Sequence, residues 1–244
     1  MGLPTIAVPQ YELTIPSIEK KIKYRPFLVK EEKVLLIALE SENQTNIINA
    51  IRTIISNCLY GDVNIDEMPT FDLEYIFLQL RAKSKGEVID LKYECPKCKT
   101  GLDVNINTED VKVIKNPEHT HTIELDPDLG VVMKYPTIEM QQMIQDIQED
   151  KKSEVEGIFT MVTKCIDYIY DKDNTYPLKD HTEKEINDFI DSLTDVHFQK
   201  ISKFFDTMPV LKHEFKLNCT KKKKDKTCSY KETITLSGLQ SFFV

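Results

Sequence analysis

The sequence predicts an α+β fold, mainly helical, in which two similar helical units with short β-hairpins are joined by a zinc-ribbon-like four-cysteine site. Three observations predict it. Apolar residues recur at helical spacing over most of the chain. Runs alternating apolar and polar residues flank two cysteine pairs, Cys95/Cys98 and Cys219/Cys228. The first half also has echoes in the second: Lys23-Tyr24-Arg25-Pro26 parallels Lys134-Tyr135-Pro136, and Cys58-Leu59-Tyr60 parallels Cys165-Ile166-Asp167-Tyr168. Met68-Pro69 and Met208-Pro209 fall at different points, so the pattern is that of a diverged duplication rather than a strict repeat.

The expected organisation is a first half over 1–108, a linker over 109–130 broken by Pro117 and Pro127, and a second half over 131–244, the two halves forming one compact body. Tyr11, Leu13 and Ile15 alternate with polar residues, Pro16-Ser17 turns the chain, and Lys20 to Tyr24 alternates again, which predicts a hairpin. A helix follows over Lys30–Glu40. The next carries Ile47, Ile48, Ile51, Ile54, Ile55, Cys58 and Leu59 on one face and is stopped by Gly61. A third runs from Thr70 to about residue 83, with Asp72 and Glu74 in its first turn favouring the helix dipole. Ile89, Leu91 and Tyr93 then lead into Cys95-Pro96-Lys97-Cys98, and Leu102, Val104 and Ile106 lead out, forming the first cysteine hairpin.

In the second half, Val131–Tyr135 reads as a strand and Thr137 as the cap of a helix through Ile138, Ile144 and Ile147. A helix is expected over Glu154–Tyr170. Thr182 and Glu185 form a capping box for the next, and a last helix turns Ile201, Phe204 and Phe205 inward. Leu211–Leu217 and Tyr230, Ile234 and Leu236 bracket the second cysteine hairpin.

A net charge of −8 argues against a general nucleic-acid binder. Lys221–Lys224 is one basic run, and at a hairpin tip it reads as a solvated guard against edge pairing. No apolar run approaches membrane-spanning length. Met1-Gly2-Leu3-Pro4-Thr5 has no secretory pattern and Ile6 breaks a myristoylation motif, so a reducing cytosol is the expected compartment.

Six cysteines in such a chain do not suggest a disulfide framework. Cys58 and Cys165 fall on apolar helix faces and read as core. The other four fit a closed tetrahedral site holding one structural zinc ion per chain, with Cys95, Cys98, Cys219 and Cys228 as ligands. The two-residue spacing lets Cys95 and Cys98 reach one ion, and Gly101 is expected to permit the tight backbone after them. A thioredoxin-type redox pair would open a helix, whereas an alternating strand follows here. Closing so long a loop costs about 4 kcal/mol, against roughly 10–16 kcal/mol from structural zinc in small peptides.

Other candidate sites fail on chemistry. Asp171, Asp173 and Thr175 start like a calcium loop, but Tyr176 and Thr182 occupy the positions that need Gly and Glu. His119 and His121 could share a metal from one strand face, but no carboxylate completes the site. Without a P-loop, nucleophile elbow or dinucleotide turn, no catalytic constellation is expected.

The blocks Tyr11-Glu12-Leu13-Thr14-Ile15-Pro16 and Lys21-Ile22-Lys23-Tyr24-Arg25-Pro26-Phe27-Leu28-Val29-Lys30-Glu31-Glu32-Lys33 resemble the baseplate hub assembly proteins of T-even-type myoviruses, most specifically over residues 4–41. The resemblance implies a non-enzymatic hub component or assembly chaperone that binds baseplate hub or tail proteins, the tape-measure protein among the candidates. It places the protein in the host cytoplasm during assembly and in the virion tail baseplate. The competing expectations are a zinc-ribbon regulatory or nucleic-acid-binding module, with Lys221–Lys226 meeting phosphate, and a metal hydrolase, which four thiolate ligands would leave without an open position. Strand 11–16, at a sheet edge, would add to a partner's sheet, and the apolar tail Phe242-Phe243-Val244 is expected either to enter a partner groove or to pack on its own core.

Overall fold

The structure is a computed structural model that describes residues 6–140, 143, 154–223, 226–238 and 241. In chain order its elements are β1 (Tyr11–Thr14), β2 (Lys21–Tyr24), α1 (Val29–Glu40), α2 (Gln44–Cys58), β3 (Leu59–Tyr60), α3 (Thr70–Lys85), β4 (Val88–Glu94), β5 (Gly101–Asn107) and β6 (Lys112–Ile114). There follow β7 (Thr122–Asp126), β8 (Leu129–Met133), α4 (Glu154–Cys165), β9 (Ile166–Asp171), β10 (Thr175–Pro177), α5 (Glu183–Asp191) and α6 (Asp195–Thr207). The chain ends in β11 (Val210–Asn218), β12 (Lys222–Lys223), β13 (Lys226–Thr227) and β14 (Lys231–Ser237).

Contacts divide these elements into two units. Unit 1 gathers Met1–Ile65, Phe71–Ile114 and Val210–Val244; unit 2 gathers Asp66–Thr70 and Lys115–Pro209.

Unit 1 opens with the antiparallel sheet β1-β2-β3, in which buried Leu13 faces buried Ile22 and Tyr24 faces Leu59. The Arg25 guanidinium donates to the Glu31 carboxylate (2.9 Å) and to the Asn57 carbonyl (2.9 Å), while Glu31 accepts from the Leu28 N–H (2.8 Å) at the start of α1. Burial pushes the Glu31 carboxyl up, but these bonds overcome it and hold the group below the usual carboxylate range. Asn43 caps α2 by accepting from the Asn46 N–H (2.9 Å), which leaves Ala50, Ile51, Ile54, Ile55 and Cys58 to form its buried face. Leu78 and Tyr75 of α3 pack beneath two cysteine hairpins, together with Ile89, Leu91, Ile106, Leu211 and Leu236. One hairpin is β4-β5, in register from Val88↔Asn107 to Glu94↔Gly101. The other is β11-β14, extended by β6 into the sheet β14-β11-β6.

Unit 2 is the antiparallel sheet β10-β9-β8-β7 with α4, α5 and α6. Leu125, Val131, Met133, Val162, Cys165, Ile166, Ile190, Ile201 and Phe204 form its core. The Thr182–Glu185 capping box opens α5 as the sequence predicts.

Three expectations are corrected. The fold is not mainly helical: fourteen strands accompany six α-helices among the described residues. The helix expected over Glu154–Tyr170 stops at Cys165, because Ile166–Asp171 is a strand with neighbours on both sides. Its β-branched and aromatic residues fit either period, and sheet pairing decides the case. The stretch 109–130 is not a linker, since it contains β6, β7 and the start of β8. The boundaries 1–108 and 131–244 therefore differ from the observed units, and β11 and β14 belong with β4 and β5 in unit 1. The helix turn through Ile144 and Ile147 and the tail Phe242-Phe243-Val244 lie outside the described residues.

Candidate metal centre

Each cysteine pair sits at the tip of its hairpin because the strands bring it there. After β4, the Cys95 N–H donates to the Thr100 carbonyl (3.0 Å) and the Lys99 N–H to the Cys95 carbonyl (2.8 Å), closing a tight knuckle. The left-handed backbone falls on Lys99, with φ 58°, rather than on Gly101 as the sequence suggests. After β11, the Cys219 N–H donates to the Tyr230 carbonyl (2.9 Å) and the Cys228 N–H to the Lys221 carbonyl (2.9 Å). The basic run beyond Cys219 continues into the small hairpin β12-β13, with Lys222 opposite Thr227.

The tips meet. Cys95 Sγ lies 3.9 Å from Cys228 Sγ, and Cys98 Sγ lies 3.6 Å from Cys219 Sγ. All four sulfurs fall within 4.8 Å of one another. Ideal tetrahedral coordination at Zn–S of about 2.3 Å gives sulfur–sulfur edges of about 3.8 Å, so the two distances bracket the value the ion requires. They are far too long for a disulfide, and all six cysteines are free thiols. Leu102 and Leu217 are buried in the same cluster, with Tyr93, Val104, Phe215, Tyr230 and Ile234 packed against it. The Tyr93 and Phe215 rings meet edge-on at 5.5 Å.

The electrostatics of the cluster suit a cation. The Thr100 hydroxyl, 3.4 Å from Cys98 Sγ, leads the bonds that hold this thiol down at about 6. Cys219 has a Lys221 N–H favouring its thiolate, yet burial and the neighbouring cysteines push it up to about 12. Burial raises Cys228 as well. Four thiolates so close together repel one another, and a divalent ion removes that conflict. Thr100 and the Lys221 N–H carry no motif signal in the sequence, and sequence reasoning misses them.

The remaining candidates separate cleanly from this centre. Cys58 and Cys165 are fully buried, and desolvation pushes them up to about 11 and about 12. Asp171 accepts from the Asp173 and Asn174 N–H groups (2.8 Å each) and from the Tyr176 hydroxyl (2.6 Å), shaping the β9–β10 turn. His119 bonds the Thr207 hydroxyl through Nδ1 (2.9 Å) and stacks on Tyr135, while His121 bonds the Met133 carbonyl (2.7 Å). Among the described residues, only the four cysteines form a group able to hold a metal. No helix among them is long and apolar enough to cross a membrane.

The chain belongs to the T4 bacteriophage base plate protein family, whose model matches residues 8–244 and so takes in both cysteine pairs. Among curated proteins it is similar to the baseplate hub assembly protein gp26 of Enterobacteria phage T4, with 24% identity over 187 residues, covering 76% of this chain and 78% of that protein. No solved structure matches.

Proposed function

We propose that this chain acts in assembly of the tail baseplate hub, as a hub component or an assembly chaperone, by binding other hub or tail proteins rather than by catalysis. The match of the family description to residues 8–244 carries the reading, because it extends through both units and both cysteine hairpins. The similarity to a hub assembly protein over most of both chains supports placing that role at the hub. In the same proposal, Cys95, Cys98, Cys219 and Cys228 hold one structural zinc ion. When bound, the ion supplies four metal–thiolate bonds that fix two hairpin tips; four thiolates leave it no position for a water nucleophile. The host cytoplasm is the proposed place of assembly and the virion tail the proposed destination, with the tape-measure protein among the partners to be tried.

The test is affinity capture of the tagged chain from infected cells. Hub and tail proteins should be retained above their level in a control lacking the tag, and infection without the chain should yield tails lacking a complete hub. Capture of no tail protein, with normal tails formed in its absence, overturns the reading.

A further inference from the structure

Helix α1 is apolar on the side that the fold does not use. Seven of the residues in Val29-Lys30-Glu31-Glu32-Lys33-Val34-Leu35-Leu36-Ile37-Ala38-Leu39-Glu40 are apolar, yet only Leu35 and Ala38 among them are buried. Val29 is 81% exposed, Ile37 57% and Leu36 47%, with Val34 and Leu39 flanking them. A contiguous stripe of this kind on a helix marks a contact surface, because water disfavours it and the core formed by the described residues leaves it uncovered.

The charges on the same face indicate what covers it. Glu31 is buried against Arg25, and Glu32 is paired with Lys85 at 2.7 Å, so the acids of the first turn are turned into the unit. What α1 presents outward is Lys30 and Lys33 in its first half and Glu40 at its end, with Glu42 just beyond. This order opposes the helix's own dipole, which favours acids at the N-terminus and bases at the C-terminus. It is, however, complementary to itself when reversed. Lys33 and Glu40 lie two turns apart on one face, with Leu36 and Ile37 between them.

We propose that α1 is the contact face of a homodimer in which the two copies of the helix pack antiparallel about a twofold axis passing between Leu36 and Ile37. That axis sets Leu36 beside the partner's Ile37 and Lys33 beside the partner's Glu40, twice over by symmetry. Each lysine-bearing end then lies along the glutamate-bearing, dipole-negative end of the other copy, which relieves the unfavourable order within one helix. A single helix pair buries less than the standard ~800 Å² per partner, which puts this interface in the weak, transient class. The dimer does not depend on the zinc assignment, since α1 carries none of the four cysteines.

Sedimentation equilibrium of the full chain across micromolar concentrations tests this. The mass should rise with concentration from monomer to dimer. Leu36→Glu and Ile37→Glu should each hold the chain monomeric throughout, with unchanged thermal melting, because both positions are exposed. Lys33→Glu and Glu40→Lys should each weaken association roughly tenfold, and the two together should restore it, a rescue that general loss of apolar area would not give. A wild-type chain that stays monomeric across the range overturns the proposal. So does a charge-swapped double variant no tighter than its single parents, or an α1 that becomes protected only on adding another hub protein.

Discussion

Units 1 and 2 turn the same corner but close themselves differently. In unit 1 the Arg25 N–H donates to the Cys58 carbonyl (2.9 Å), and in unit 2 the Lys134 N–H donates to the Cys165 carbonyl (2.7 Å). Each cysteine is the last residue of a helix, is fully buried, and leads into a strand that returns to the strand leaving the hairpin. Beyond that corner the units diverge. All the strands and helices of unit 2 lie in the continuous stretch Lys115–Pro209 around an apolar core. Unit 1 draws its two cysteine hairpins from segments separated by Lys115–Pro209 of unit 2, and Cys95 and Cys228 stand 133 residues apart. Chain continuity closes one unit; in the other, four thiols meet where continuity is missing. Closing a loop of that length costs about 4 kcal/mol, less than the roughly 10–16 kcal/mol that structural zinc contributes in small peptides, so the proposed ion would suffice to hold it.

The largest expected effect is therefore unequal between the units. Stripping zinc with a chelator, or Cys95→Ser, should abolish amide-exchange protection over 88–107 and 210–237 while leaving 122–133 and 154–207 protected. Equal loss in both units would break the comparison.

The reciprocal change is at Gly130 in the middle of β8. A Cβ there would overlap the Tyr170 ring and lie 2.7 Å from the Ile123 carbonyl oxygen, so it would force apart the strands on both sides. Gly130→Val should destabilise unit 2 by about 2 kcal/mol, as overpacked sites do, with the metal content unchanged. Calorimetry together with metal analysis checks both halves of that statement.

Acid should also act on unit 2. Burial, with a smaller contribution from His121, holds the His119 imidazole below its ordinary range. A depressed folded value means that stability is full above the unfolded histidine pKa and is lost as pH falls through it. Unit 2 should weaken between about pH 7 and pH 5, and His119→Phe should flatten that dependence when melting is followed against pH.

The smallest effect concerns the metal knuckle. Lys99 holds a left-handed backbone, and its side chain makes only an exposed ion pair with Glu94 at 3.5 Å. Lys99→Gly should stabilise zinc-bound unit 1 by roughly 0.5 kcal/mol, the relief of that backbone strain less a weak surface pair. Chemical denaturation would register the shift.

What the sequence reveals follows from how local each feature is. The meeting of the four cysteines is legible because each pair is bracketed by short-range alternating runs that place it at a hairpin tip. The related corners are legible from Cys58-Leu59-Tyr60 and Cys165-Ile166-Asp167-Tyr168, although in the second the strand reads as the tail of a helix. The unit boundaries are not legible. Nothing within Val210–Asn218 says that it pairs with Lys112–Ile114, across an intervening unit, rather than with a nearer strand. The four-cysteine cluster therefore looks, from spacing alone, like a lock between two halves, whereas it joins two parts of one unit.

Metal analysis of the purified chain tests the central claim most directly. It should find one zinc per chain, lost in the Cys95→Ser and Cys228→Ser variants and retained in Cys58→Ser and Cys165→Ser. A chain that carries no zinc after purification without chelators, or one that keeps its zinc when Cys95 or Cys228 is replaced, would contradict the account.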